Sequence, residues 1–192
     1  FSNKEFNEIG WFYCSGSSDD IDRYITYNYL ENVWSIGELS RTAWLDEGIF
    51  ENPLATEGSA NSSILYNHET GSDADGVPMD NVFIESGDID IDEGEQFGFV
   101  SRIIPDVKFF GSTPTSGQIN YVLKSRNYPG ESLTTNSTSD VTSSTTQNFV
   151  RTRARQLVFR VQSDDDADTG ARTGFKWRLG ANRFDIRTDG RR

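Results

Sequence analysis

The stretch Arg23 to Asp46, RYITYNYLENVWSIGELSRTAWLD, constrains the fold more than any other part of the chain. Aromatic and β-branched residues alternate with other residues in two runs (Tyr24 and Thr26, then Val33 and Ser35), and a polar turn at Glu31-Asn32 separates them. A period of two interrupted by a turn is the pattern of a β-hairpin rather than of an amphipathic helix.

The same pattern recurs along the chain, so the expected fold class is all-β. Two regions are expected. Residues 1–85 read as a meander of short strands, propeller-like in spacing: Ile9–Ser15, Arg23–Asn28, Val33–Leu39, Arg41–Trp44, Ser63–His68 and Asn81–Glu85. Turn signals fall between them at Ser15-Gly16-Ser17 and Asp73-Ala74-Asp75-Gly76, and Asn52-Pro53-Leu54 marks a loop because the residue before proline is pushed extended. Residues 86–192 read as a β-sandwich-like region of longer strands: Phe97–Val107, Gln118–Arg126, Gln147–Arg155, Gln156–Ser163, Phe175–Leu179 and Arg183–Arg187. Ile119, Tyr121 and Leu123 share one face of their strand, as do Leu157, Phe159 and Val161, which fits a sheet with one buried face. The tract SLTTNSTSDVTSSTT from Ser132 to Thr146 suits either a long loop or a polar exposed strand.

The chain begins at Phe1, without Met, in sequence that reads directly into a strand; it is expected to be a fragment, either a processed product or the ordered end of a longer polypeptide. No window of about 18 apolar residues is present, so no membrane-inserted segment is expected. Cys14 is the single cysteine and cannot close an intrachain disulfide; its place in a strand pattern favours a buried structural thiol over a reactive one.

Charge is distributed unevenly. Residues 1–96 carry 21 acids and 3 bases, a balance of −18, whereas residues 97–192 carry 9 acids and 15 bases, a balance of +6. One reading is a solvated surface on two differently charged lobes. The other is electrostatic complementarity between neighbouring copies or partners.

Little in the sequence supports catalysis. His68 is the single histidine, which argues against a catalytic triad or a His-rich metal site and favours a strand-end surface side chain. Neither a nucleophile elbow nor a phosphate-binding glycine motif occurs. Thirty acids make carboxylate pairs such as Asp19/Asp22 uninformative. Asp88, Asp90 and Asp92 alternate with Ile89 and Ile91, a pattern that fits a strand with an acidic outer face better than a cation site; Glu93 stands where a calcium loop needs glycine and Phe99 where it needs its bidentate glutamate. The run from Asp164 to Gly170 likewise reads as a solvated turn. Arg151, Arg153 and Arg155 alternate and share a strand face, and with Arg41 and Trp44 they are the candidate interface residues. Tight non-specific DNA binding is disfavoured by the acidic balance of the whole chain. The four tryptophans, Trp11, Trp34, Trp44 and Trp177, suit core or interface packing better than stacking on sugars or bases. No catalytic, cofactor or metal-ligating residue is assigned.

Four blocks, in order, resemble the tail nozzle proteins of short-tailed bacteriophages, also called tail tubular protein B or packaged-DNA stabilisation proteins. They are YNYLENVWSIGELSRTAWLDEGIF (27–50), FGFVSRIIPDVKF (97–109), FVRTRARQLVFRVQSDD (149–165) and WRLGANRFDIRTDGRR (177–192). Together they cover nearly the whole chain and match the C-terminal part of such a protein. The resemblance implies a structural virion protein rich in β-sheet, with a propeller-like part. It implies a ring homo-oligomer, hexameric as is typical of the family, below the portal and adaptor. That ring retains packaged DNA and conducts it during ejection, without sequence-specific binding and without catalysis. The segment 164–175 is longer and more acidic than the family pattern, and the 132–146 tract is more polar. The alternatives are a glycan-binding or polysaccharide-degrading module on a phage fibre or secreted protein, and a virion decoration protein.

Overall fold

The hairpin expected at Glu31-Asn32 forms. Asn28 Oδ1 accepts hydrogen bonds from the backbone N–H groups of Leu30 and Glu31, at 3.0 and 2.9 Å, and Asn32 takes a left-handed φ of 56° that lets the chain reverse. These details come from a computed structural model that describes residues 1–57, 64–73, 76–79, 81–90, 94–111, 119–164 and 174–191. The fold is all-β: every extended pairing is antiparallel, and no α-helix occurs among the described residues.

The chain divides into two units, Phe1–Gly71 and Ser72–Arg192. In the first, β1 (Ser2–Asn3), β2 (Glu8–Tyr13), β3 (Arg23–Asn28) and β4 (Val33–Glu38) form a four-stranded meander in sequence order. A second meander is built from β5 (Arg41–Leu45), β6 (Leu54–Glu57) and β7 (Leu65–Asn67). Trp44 of β5 joins the two meanders, its ring lying 4.9 Å from Phe1 and 5.4 Å from Phe12 between centroids. Beside it Asp46 accepts hydrogen bonds from the Ser2 hydroxyl (2.7 Å) and the Trp44 indole (2.9 Å). Burial pushes the Asp46 carboxyl up, but the hydrogen bonds from Ser2 and Trp44 outweigh it and hold the group below the usual carboxylate range.

The second unit is a two-layered β-structure. One sheet runs β13 (Thr134–Val141), β12 (Ile119–Arg126), β15 (Gln156–Ser163), β8 (Phe83–Glu85), with β9 (Ile89–Asp90) also on β15. The other runs β14 (Asn148–Ala154), β10 (Gly98–Ile104), β17 (Arg183–Thr188). Ile119, Tyr121, Leu123, Leu157 and Val161 of the first sheet form one buried cluster with Val100, Ile103, Val150 and Ala154 of the second. The shared faces expected from the alternation of β12 and β15 are therefore the core faces. The two-stranded ribbon of β11 (Val107–Gly111) and β16 (Phe175–Leu179) packs Phe109 and Trp177 against that core.

Several boundaries differ from the sequence expectation. Asn81–Glu85, read with the first region, contributes β8 to the second unit, because its Glu85, Ile84 and Phe83 pair with Arg160, Val161 and Gln162. The run Phe97–Val107, read as one strand, is split into β10 and β11 at Pro105-Asp106; proline lacks the N–H a ladder requires, and Asn182 Oδ1 and the Gly180 amide secure the corner at Asp106. Part of the polar tract forms β13, largely exposed, with Ser137 and Ser139 half-buried and its end at Val141 buried. The Asp73–Gly76 turn falls partly outside the described residues, as does the Asp164–Gly170 run.

Candidate interaction surfaces

Strand alternation in the first unit sends Ile9, Trp11 and Tyr13 of β2 to the same face as Ile25 and Tyr27 of β3 and Trp34 and Ile36 of β4. The register aligns Trp11 with Ile25 and Ile25 with Ile36, and aligns Tyr27 with Trp34. The opposite face packs within the unit: Phe12 lies against Phe1 and Trp44, the Thr26 and Ser35 hydroxyls bond to one another, and the Tyr24 ring lies over Gly37. Among the described residues of this unit, none covers the aromatic face. Trp34 is 60% exposed, Ile36 71% and Trp11 49%, and the Trp11 and Trp34 rings stack with centroids 6.1 Å apart. Among the described residues of this unit, Pro53 and Ala55 are buried apolar side chains, and its large aromatics are half-buried or exposed. An apolar sheet face of this extent is the signature of a binding surface.

Arg41 and Trp44, the interface candidates of the first unit, are held within it. The Arg41 guanidinium lies 4.1 Å over the Tyr66 ring, and its Nε donates to His68 Nε2 at 3.0 Å. The His68 ring in turn lies 4.7 Å from that of Trp44. The histidine is thus half-buried rather than on the surface, and burial followed by the Arg41 charge holds its pKa below the usual value. The neutral ring accepts the arginine's hydrogen bond. Cys14 also departs from expectation: it lies just past β2, its thiol is exposed, and its Sγ sits 3.7 Å from the Asp19 carbonyl.

In the second unit Arg151 and Arg153 share the outer face of β14, and Arg155 lies one residue past its end. Arg153 lies 3.9 Å over the Phe97 ring and donates to Asp189 Oδ2 at 2.6 Å, while Arg155 lies 5.1 Å over the same ring and donates to the Arg191 carbonyl at 3.2 Å. On the neighbouring strands Arg187 covers Phe99 at 4.8 Å, and Arg102 pairs with Asp185 at 2.6 Å. Arg151 is exposed and makes no hydrogen bond or ion pair among the described residues. Phe149, on the same face, is 75% exposed.

The acidic segment before β10 is matched within the unit. Asp88 pairs with Arg126, and the Gln156 side-chain amide donates to Asp90 Oδ1 at 2.9 Å. Glu85 accepts from Lys124 at 2.5 Å and lies 3.5 Å from Arg160, and the bond from Lys124 chiefly holds its carboxyl below the usual range. This charged layer shields Val122 and Val158, 6% and 3% exposed, on the face opposite the core. Part of the charge asymmetry of the sequence is therefore spent inside the second unit. Asp92 lies outside the described residues.

A cavity of about 240 Å³ is lined by Ile104, Pro105, Asp106, Ala181 and Arg183. Its carboxylate is already engaged, since Asp106 Oδ2 accepts the Ala181 amide at 2.9 Å. Among the described residues no cluster of three or more His, Cys, Asp or Glu side chains has the arrangement of a metal site. Nor is any helix among them long and apolar enough to cross a membrane. The aromatic face of β2 to β4 was the feature sequence reasoning missed; its signal is the alternation of Ile9, Trp11 and Tyr13, the opposite phase to the one that marks the hairpin. Comparison with protein-family models gives no match, and comparison with curated proteins gives none either.

Proposed function

We propose that this chain is part of a structural virion protein of a short-tailed bacteriophage: a nozzle subunit that joins sister copies in a ring below the portal and adaptor. The ring retains the packaged genome and conducts it during ejection. The observation that carries the reading is the first unit's uncovered aromatic sheet. With Trp11, Trp34 and Ile36 about half or more exposed on one sheet face, that unit presents an apolar surface suited to a neighbouring protein. The resemblance of the four sequence blocks to nozzle proteins supports this choice of assembly. No catalytic role is assigned, and DNA passes without base-specific contact. Location tests it: gold-labelled antibody against the chain should decorate the tails of purified virions, and labelling confined to host material or to free fibres would contradict it.

A second reading draws on the same face. Stacked, exposed Trp11 and Trp34 beside Tyr27 make a platform on which sugar rings could stack, as a glycan-binding module requires. Titration with host oligosaccharides, followed by tryptophan fluorescence, separates the two: saturable quenching lost in Trp34→Ala supports the sugar, and an unchanged spectrum supports the protein partner.

A further inference from the structure

The sheet of β14, β10 and β17 gathers cations and aromatic rings on its outer face. Across its three strands the register sets Arg153, Phe99 and Arg187 in one row and Phe149, Arg102 and Asp185 in the next. Phe97 and Phe99 flank the buried Gly98, and a guanidinium caps each ring: Arg153 lies 3.9 Å over Phe97, and Arg187 lies 4.8 Å over Phe99. Asp189 and Asp185 engage Arg153 and Arg102. Arg187 and Arg151 have no such partner. Both are exposed, and neither makes a hydrogen bond or ion pair among the described residues. Phe149, next to Arg151 on the same face, is 75% exposed. The β11–β16 ribbon, which prolongs β10 and β17, repeats the feature: Lys108 stands directly opposite Arg178, and neither forms an ion pair among the described residues. Like charges set opposite one another weaken a ladder, so an anion from outside the chain stabilises such an arrangement.

We propose that this face binds an acidic polysaccharide, a linear polymer with a carboxylate on every one or two sugar rings. Arg187 and Arg151 each take a carboxylate, and Phe149 takes the apolar side of a ring. The proposal concerns the second unit and does not rest on the nozzle reading. A guanidinium is planar, and its paired N–H donors match the two oxygens of a carboxylate. Laid on Phe99, that of Arg187 is already oriented, so binding costs it less freedom. Arg187 and Arg151 stand two strands apart, about 10 Å across the sheet, and an extended polymer lying across the strands meets both. A dense polyanion is disfavoured: residues 72–192 carry 18 acids and 15 bases, the whole chain has a net charge of −12, and that field opposes a nucleic acid. An added peptide strand is disfavoured as well, because the cations project from the sheet face and not along an edge, where backbone hydrogen bonds would hold a peptide.

Isothermal titration of the 192-residue chain tests this, with oligomers of polygalacturonate, alginate and hyaluronan as probes in physiological salt. At least one should bind saturably, and the same oligomer with its carboxyls reduced should not. Arg187→Gln and Arg151→Gln should each weaken binding about tenfold, the loss of one charged two-point contact. Arg187→Lys, which keeps the charge but not the fork, should fall between, and Phe149→Ala should also bind more weakly. Trp34→Ala, in the first unit, should bind as the wild type does. Urea midpoints equal to that of the wild type show that the losses are local. Failure of all three polymers to bind, equal binding of the reduced oligomer, tighter binding of duplex DNA or polyglutamate at the same salt, or loss of binding in Trp34→Ala would each overturn the proposal. Antibody labelling of virion tails is independent of every one of these results, so the nozzle reading stands or falls separately.

Discussion

Arg153 bridges Phe97 and Asp189: its guanidinium lies 3.9 Å over the ring, its Nε donates to Asp189 Oδ2 at 2.6 Å and its NH2 group to the Asp189 carbonyl at 3.0 Å. The Phe97 backbone also brackets the same segment, donating to the Gly190 carbonyl at 2.8 Å and accepting from the Asp189 amide at 2.7 Å. The arginine face thus fastens the end of the chain after β17 to the start of β10.

Removing this fastening should have a modest cost, because the pair is more than a third exposed on both sides. Arg153→Ala is expected to lower stability by about 1 kcal/mol, from an exposed ion pair and a cation–π contact of ordinary size. Asp189→Asn should cost about half of that, since one hydrogen bond survives the loss of charge. Urea denaturation of the single and double variants measures both and their coupling. Strict additivity would show that the two side chains do not interact.

Tyr121 is 1% exposed, stacks edge-on against Phe159 at 5.1 Å, and donates its hydroxyl to Asn182 Oδ1 at 2.5 Å. The same oxygen accepts the Asp106 amide at 3.0 Å. Tyr121→Phe should lower stability by about 1 kcal/mol, and Asn182→Ala by more, about 2 kcal/mol, because it strands two donors. Equal effects from the two substitutions would contradict the shared-acceptor geometry.

Stability of the first unit should depend on pH through His68. The folded pKa lies below the ordinary 6.5, burial and then the Arg41 charge opposing the imidazolium. The unfolded chain therefore binds a proton that the folded one resists. Stability is full above the unfolded value and falls as pH drops through the window below it. Thermal midpoints from about pH 7.5 to about pH 5.5 should fall in the wild type and fall less in His68→Gln, whose amide oxygen keeps an acceptor for Arg41. Parallel curves would show that the histidine is not the titrating group. The depressed carboxyls of Asp46 and Glu85 act lower, where their stabilisation is lost as pH falls below their unfolded values of 3.8 and 4.5.

Gly111 has a φ of +85°, and an added Cβ there would collide with the Gly174 carbonyl across the β11–β16 ribbon. Gly111→Ala should cost about 2 kcal/mol or more. Gly16, where an added Cβ meets nothing, is the control, and Gly16→Ala should be near neutral. Similar losses at both sites would refute the steric argument.

Much of the fold was legible because strand alternation is local. Arg23–Asn28, Gln156–Ser163 and Phe175–Leu179 are strands with the bounds their patterns gave, and the core faces of β12 and β15 follow from period two. What was not legible depended on distant partners. Pro105 ends β10 because a corner is available at Asn182, 77 residues on, and the Asp88–Asp90 acids are matched by Arg126 and Gln156 from elsewhere in the chain. Burial of His68 likewise comes from Arg41 and Trp44, which no local pattern around position 68 announces. The candidate surface was half visible: the outward phase of Arg151, Arg153 and Arg155 was readable, but their engagement with Phe97 was not. That Trp11 and Trp34 stand uncovered required the register of β2, β3 and β4.

Electron microscopy of the purified protein, at micromolar concentration and physiological salt, measures most directly whether the chain is a building block. Closed rings with a central opening, in which each copy meets the next through unlike faces, are the expected particles. Single copies at every concentration, on grids where intact phage tails also fail to show the protein, would contradict the account.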